Sequence, residues 1–199
     1  MNKQLEKKRQ IKQLGIYQYI KKFIPFRHFS YIKSLTSDVH SQRKMFGTLS
    51  EEAEVKVPAS KAWALYGTLE IGKLVVGKVL EAVDLIEGDG GPGTILKLTL
   101  KPGLGFPYYK EKFTKVDNEN MIKETEVVEG GFLDVGFTLY RIRFEIKENP
   151  NDDTGSSCLQ KLTIEYDVKE EFAANASFVT NEPLLGLLKV ANEYLLKSN

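Results

Sequence analysis

From residue 48 the chain alternates, with Leu49, Ala53, Val55 and Val57 set against Thr48, Ser50, Glu52, Glu54 and Lys56. A period of two marks a half-buried strand, because successive strand side chains point to opposite faces. Pro58 ends it. Residues 59–66 and 69–74 then predict two short helices, with Ser60 as N-cap, Gly67 as breaker and Trp63 in the core. Six strand-like runs follow, at about 79–87, 93–101, 108–116, 121–129, 136–147 and 158–169. Turn residues separate them, clearest at 117–120 and 149–155, which predicts an antiparallel meander.

The last segment changes period. Leu184, Leu185, Leu188, Ala191 and Leu195 share one helical face, while Lys189, Glu193 and Lys197 take another. Pro183 lies in its first turn and Asn181 or Glu182 near its cap. A long amphipathic helix after a meander packs into the concave side of the sheet, so the expected class is α+β.

Charge divides the chain near Met45. Residues 1–44 hold 11 Lys/Arg against Glu6 and Asp38, a net +9, which leaves the remainder at −8. The expected organisation is a basic extension over 1–44 and one domain over 45–199. For the extension two readings stand. One is a basic amphipathic helix from Ile11 to Ile24, stopped by Pro25, giving weak association with an anionic membrane surface. The other, preferred, is a disordered leader, or else an over-long translation start with the working initiator at Met45. No apolar run approaches a signal-peptide core or a membrane span, so a cytoplasmic setting is expected. The acidic domain does not suit a phosphate backbone, and no nucleic acid is expected as partner.

Composition also restricts the chemistry. Both histidines, His28 and His40, lie in the extension, and Cys158 is the sole cysteine. The domain therefore lacks the imidazole or clustered thiolates of a Ser-His-Asp or Cys-His nucleophile or a zinc site. Metal and organic cofactors are expected to be absent, and Cys158 is a structural strand residue. Reactive groups must come from carboxylate, lysine or tyrosine.

Parity selects some. On 108–116, Tyr109, Glu111 and Phe113 share one face, with Tyr108, Lys110, Lys112 and Thr114 opposite. On 121–129, Lys123 lies with Met121, Thr125 and Val127. Pairing that keeps these faces together sets Lys123 diagonal to Glu111, about 7–8 Å away along the backbone. If the face is concave, desolvation raises the Glu111 pKa and makes it a proton carrier near neutrality. If it is convex, the two form a solvated pair of little consequence.

The segment Glu87-Gly88-Asp89-Gly90-Gly91-Pro92-Gly93-Thr94 offers a phosphate-cradling reading, but it lacks a Gly-Lys-Ser/Thr ending and leads into a strand, so a structural turn is expected. This loop, the paired helices with Trp63 and the terminal amphipathic helix together resemble the plant Bet v I superfamily (pathogenesis-related class 10, major latex proteins) over residues 47–197. The resemblance implies a seven-stranded curved antiparallel sheet wrapped on the last helix, with an internal cavity for amphipathic ligands.

Three segments, 109–113, 127–136 and 165–169, look closer to the norcoclaurine synthase and norbelladine synthase branch. Residues 173–178 are similar to norbelladine synthase. The resemblance implies condensation of an arylethylamine such as dopamine or tyramine with an aldehyde through an imine or iminium. In those enzymes a lysine polarises the aldehyde and a glutamate moves protons, which would make Lys123, Glu111 and Tyr109 the catalytic residues here. One position departs, since Ile142 stands where norcoclaurine synthases carry a catalytic aspartate. Imine formation is thus easier to support than full cyclisation. The alternative is a non-catalytic carrier of hydrophobic metabolites or hormones, although the latch loop of the hormone receptors is missing at 117–122.

Overall fold

The structure, a computed structural model, describes residues 44–103 and 105–197. Residues 1–43 of the basic extension, with both of its readings, lie outside the described residues, whereas Lys44 opens the first strand. Strand β1 (Lys44–Val55) leads into helices α1 (Ala59–Tyr66) and α2 (Glu70–Val75). Six strands follow: β2 (Leu80–Glu87), β3 (Ile95–Leu100), β4 (Tyr108–Asp117), β5 (Ile122–Gly130), β6 (Phe137–Glu148) and β7 (Cys158–Lys169). Two 3-10 segments, Gly131–Val135 and Glu170–Phe178, interrupt the path, and α3 (Glu182–Lys197) closes it. All seven strands form one antiparallel sheet in the order β1-β7-β6-β5-β4-β3-β2. The expected meander and α+β class are therefore present.

The alternating residues of β1 face as their pattern requires, with Val55 and the following Val57 buried and Leu49 and Ala53 packed on the core edge. α3 lies against the sheet through Leu184, Leu188, Ala191 and Leu195, each at most 4% exposed. Its Leu187 and Val190 reach a second cluster built on Val75, Leu80, Leu96, Leu98 and Phe113. The helix thus joins two apolar centres across the concave face. Leu185, expected with the buried stripe, is 47% exposed. It sits at the margin of the apolar arc, one step beyond Leu184, where the helix surface has already turned to solvent.

The Ser60 cap is also corrected. Helix α1 spans the expected residues, but its cap position is Pro58, two residues before Ser60, with no side-chain cap bond. Proline's fixed φ sets the entry instead. Trp63 is half-buried, packs on the core edge and donates from Nε1 to Asn118 Oδ1 at 3.0 Å, tying α1 to the β4–β5 turn. Cys158 is fully buried at the start of β7, and burial pushes its thiol up to about 11.

The glycine segment at 88–93 is a structural turn. The Gly90 amide donates to Thr94 Oγ1 at 2.9 Å and the Gly91 amide to Asp89 Oδ1 at 3.1 Å, so both are engaged within the loop.

A demanding glycine is Gly136, at φ +95°, which turns the chain from the first 3-10 segment into β6. A Cβ there would lie 2.3 Å from the Phe172 ring. Gly136→Ala combines left-handed strain with overpacking, each costing about 1–3 kcal/mol. A loss of at least ~2 kcal/mol in urea unfolding is expected from these costs, with the m-value unchanged.

Candidate active site

β4 and β5 position the reactive side chains, and of the two register shifts between them, at Lys110/Glu111 and Phe113/Lys115, the second sets the geometry around Glu111. Near the turn, Val116 pairs with Lys123 and Asp117 with Ile122. Continued unbroken, that register would bring Glu111 opposite the exposed Val128. A shift between Phe113 and Lys115 gives one extra residue to β4, as a β-bulge does. Beyond it Phe113 pairs with Thr125 and Glu111 with Val127. Directly paired residues point to the same side, so the inward sets of both strands now coincide.

That register corrects the expected diagonal. Thr125, not Lys123, is diagonal to Glu111, and Lys123 stands one inward position further along β5. Both charged residues nevertheless face inward, with Lys123 1% and Glu111 9% exposed. They line one cavity with Phe113, Thr125, Phe144 and the turn at Thr68. The convex alternative fails on this burial.

Lys123 Nζ lies 4.9 Å from the Phe113 ring centroid and 5.1 Å from that of Phe144, between two negative π faces. It donates to the Thr68 carbonyl oxygen at 3.2 Å. The Thr68 hydroxyl donates to the Ala64 carbonyl at 2.9 Å and accepts from the Glu70 amide at 3.3 Å. These bonds tie the end of α1 to the start of α2 and fix the peptide whose oxygen meets Lys123.

Glu111 accepts from Thr125 Oγ1 at 3.3 Å. Burial pushes the Glu111 carboxyl up to about 7, against the opposing pull of the Lys123 charge and the Thr125 bond. Burial likewise brings the Lys123 ammonium down to about 8, while the Glu111 charge opposes the change. A carboxylate and an ammonium thus share a buried site, burial moving each toward neutrality.

Tyr109 is on the same face of β4, half-buried against the core, but does not line the Glu111–Lys123 cavity. Burial, then the Glu111 charge, then Tyr140 hold its hydroxyl well above the usual phenol range. It is a neutral group beside Glu111. The structure therefore brings Glu111 and Lys123 together in one space and leaves Tyr109 at its margin.

That space is small. It measures about 40 Å³, whereas small-molecule pockets run to about 300–1,000 Å³. Phe113, Phe144 and the Lys123 stem fill the concavity in which the family resemblance implies a ligand. A line of rings leads outward from it: Tyr140, buried beside Glu111, stacks on Phe132 at 4.1 Å and 7°, and Phe132 meets Phe106 of the β3–β4 loop at 5.1 Å. A wider depression of about 450 Å³ at the β6–β7 turn is open and polar, lined by Glu54, Lys56, Asn149 and Asp152. The Asp152 carboxylate there is engaged by Thr154, Ser156 and Ser157 and leaves no free reactive group.

Thr125 and the Thr68 carbonyl are site groups that the sequence reading passed over. The Thr125 signal was present, as a hydroxyl on the same inward parity as Lys123. The Thr68 carbonyl carries no side-chain signal, being backbone.

Among known proteins, norbelladine synthase of Narcissus pseudonarcissus is 45% identical over 78% of this chain and 96% of its own length. S-norcoclaurine synthase of Thalictrum flavum subsp. glaucum is 34% identical over 94% of this chain and 89% of its own. The Thalictrum flavum norcoclaurine synthase solved in complex with dopamine and hydroxybenzaldehyde superposes with a TM-score of 0.70 at 32% identity, covering 85% of this chain and 99% of that one. These relatives are enzymes, which agrees with the enzymatic reading that the resemblance to the norcoclaurine and norbelladine synthase branch implied. The model of the pathogenesis-related protein Bet v 1 family matches residues 44–198, and the chain belongs to that family.

Proposed function

We propose that the protein condenses an arylethylamine with an aldehyde to an imine, using Lys123 as proton donor to the aldehyde oxygen, Glu111 as proton acceptor and Tyr109 as a positioning hydroxyl. The observation that carries this reading is the convergence of Glu111 and Lys123 in one buried cavity, with pKa values brought to about 7 and about 8. A carrier needs apolar walls and a few polar anchors, and it gains nothing from a buried pair that costs stability.

The steps balance without an oxidant or reductant. The amine nitrogen attacks the carbonyl carbon and forms the C–N bond as Lys123 protonates the carbonyl oxygen. Glu111 takes a proton from the nitrogen, giving a neutral carbinolamine. Proton return from Glu111 to the hydroxyl releases water as the C–O bond breaks, and the nitrogen lone pair forms the C=N bond of an iminium. Lys123, neutral since its first transfer, then takes the N–H proton to give the imine and restore its ammonium. A dry site favours this dehydration, because it keeps bulk water from the imine. Substrate entry requires the side chains that line this small cavity to move.

Support for stopping at the imine comes from β6. Ring closure calls for a further base, and Ile142, which pairs with Thr125, supplies none. Full-length protein incubated with dopamine or tyramine and hydroxybenzaldehyde, followed by borohydride trapping, is expected to give the reduced amine above the level of Lys123→Ala and Glu111→Ala. Equal product in all three overturns the reading, and tight ligand binding without turnover assigns a carrier. Tyr109→Phe, which removes a hydroxyl but keeps the ring, is expected to lower kcat/KM by about tenfold, the value of one hydrogen bond of ~1.4 kcal/mol.

A further inference from the structure

We propose that Thr125 is a positioning residue for Glu111, its hydroxyl fixing the buried carboxyl in the orientation that faces the cavity shared with Lys123. The inference rests on the reading of Glu111 as proton acceptor.

Thr125 is 2% exposed and stands in an apolar column, with Phe113 opposite on β4 and Ile142 opposite on β6. Valine has the same shape and a higher β preference for such a place. A hydroxyl buried there is unfavourable unless it is bonded, and it donates to Glu111 Oε2 at 3.3 Å. That distance is long for a hydroxyl–carboxylate bond, as catalytic hydrogen bonds often are before substrate binds. Threonine is branched at Cβ and stiff at χ1, so its hydroxyl direction is set by the strand, whereas the longer Glu111 side chain must be held.

The surroundings leave Thr125 little competition. Toward Glu111, β5 presents Lys123 and Thr125, β4 presents Tyr109 and β6 presents Tyr140. The residues that β2, β3 and α2 turn to the cavity, Leu80, Leu96 and Val75 among them, carry no charge. Lys123 supplies attraction from further along the strand, and Thr125 supplies the directed bond. Donation to the ionised carboxylate favours that form, so removing the hydroxyl makes Glu111 harder to ionise.

The test uses the full chain with dopamine and hydroxybenzaldehyde. Thr125→Val keeps the shape and loses the donor, while Thr125→Ser keeps the donor and loses a methyl. The acid limb of the kcat/KM profile is expected to move up by about one pH unit in Thr125→Val, with a rate loss of roughly tenfold below the limb, and to stay at the wild-type position in Thr125→Ser. A residue that merely filled space would give the reverse order, since valine fills the volume better, and would leave the limb unmoved. If Thr125→Val does not fold, Thr125→Ala carries the same comparison. An unmoved limb in the donor-less variant, with Glu111→Gln inactive, overturns the inference and leaves Glu111 in its role. Activity retained in Glu111→Gln overturns both.

Discussion

Lys123→Ala is expected to lower kcat/KM for amine–aldehyde condensation by about 10²–10⁴-fold, the range of a positioned acid or base. The lysine meets the requirements of such a donor. Its ammonium is 1% exposed, aimed by the Thr68 carbonyl and flanked by two aromatic faces, and burial has brought its pKa to about 8. A proton held that loosely passes readily to a carbonyl oxygen as negative charge develops there. Glu111→Gln is expected to cost a similar factor, because glutamine keeps the shape and accepts no proton.

The pH dependence identifies the roles. With Glu111 ionised and Lys123 protonated as the active form, the profile is a narrow bell, rising near pH 7 and falling near pH 8. Both limbs belong to the pair, since each charge moves the other's titration. Lys123→Ala removes the alkaline limb and shifts the acid limb upward, because the attraction that holds the carboxyl down is gone. Glu111→Gln removes the acid limb and shifts the alkaline limb downward. Limbs that stay in place in both variants would show that other groups carry the protons.

Period carried most of the architecture into the sequence. Strands β2 to β7 fall within two residues of the expected runs, because alternation and turn residues bound them on both sides. β1 begins four residues earlier than its alternation suggested, through Met45, Phe46 and Gly47, where Gly47 opposite Tyr166 interrupts the pattern. Although parity leaves open which face is concave, the grouping of Tyr109, Glu111 and Phe113 on one face, and of Lys123, Thr125 and Val127 on one face, follows from parity alone. Their mutual register does not, since one inserted residue at the Phe113/Lys115 shift decides it and leaves no compositional mark. Without that residue, Glu111 would lie opposite Val128 and leave the cavity. The same limit applies to the Thr68 carbonyl, because the sequence shows a threonine after a helix but not where its peptide points. Cavity size was equally hidden, being a difference between the hollow of the sheet and the volumes of Phe113, Phe144 and Lys123.

The second large effect is on stability and opposes the first. Replacing the pair by Glu111→Gln with Lys123→Met is expected to stabilise the fold by about 1–4 kcal/mol near pH 7.5, as apolar or neutral replacements of buried ion pairs often do. The sign follows from linkage. Glu111 has its folded pKa raised from 4.5 to about 7, so the native state binds the extra proton between these values and stability falls as pH rises through them. Its cost is fully present above about pH 7. Lys123 has its folded pKa lowered from 10.5 to about 8, so the unfolded state binds the extra proton there and stability rises with pH across that interval. Its cost is fully present below about pH 8. The wild-type protein is therefore expected to have a stability minimum near pH 7 to 8, the same interval in which the active charge state is expected to prevail. The double variant should lack this minimum in urea unfolding followed from pH 4.5 to 10.5. Lys123→Met alone should gain less, because it removes the charge that restrains the Glu111 pKa and leaves a carboxyl buried without it. A double variant less stable than wild type at pH 7.5 would mean that the pair holds the fold together. Greater stability with lost turnover would show that the buried charges are kept at the expense of the fold, as a site used for chemistry requires.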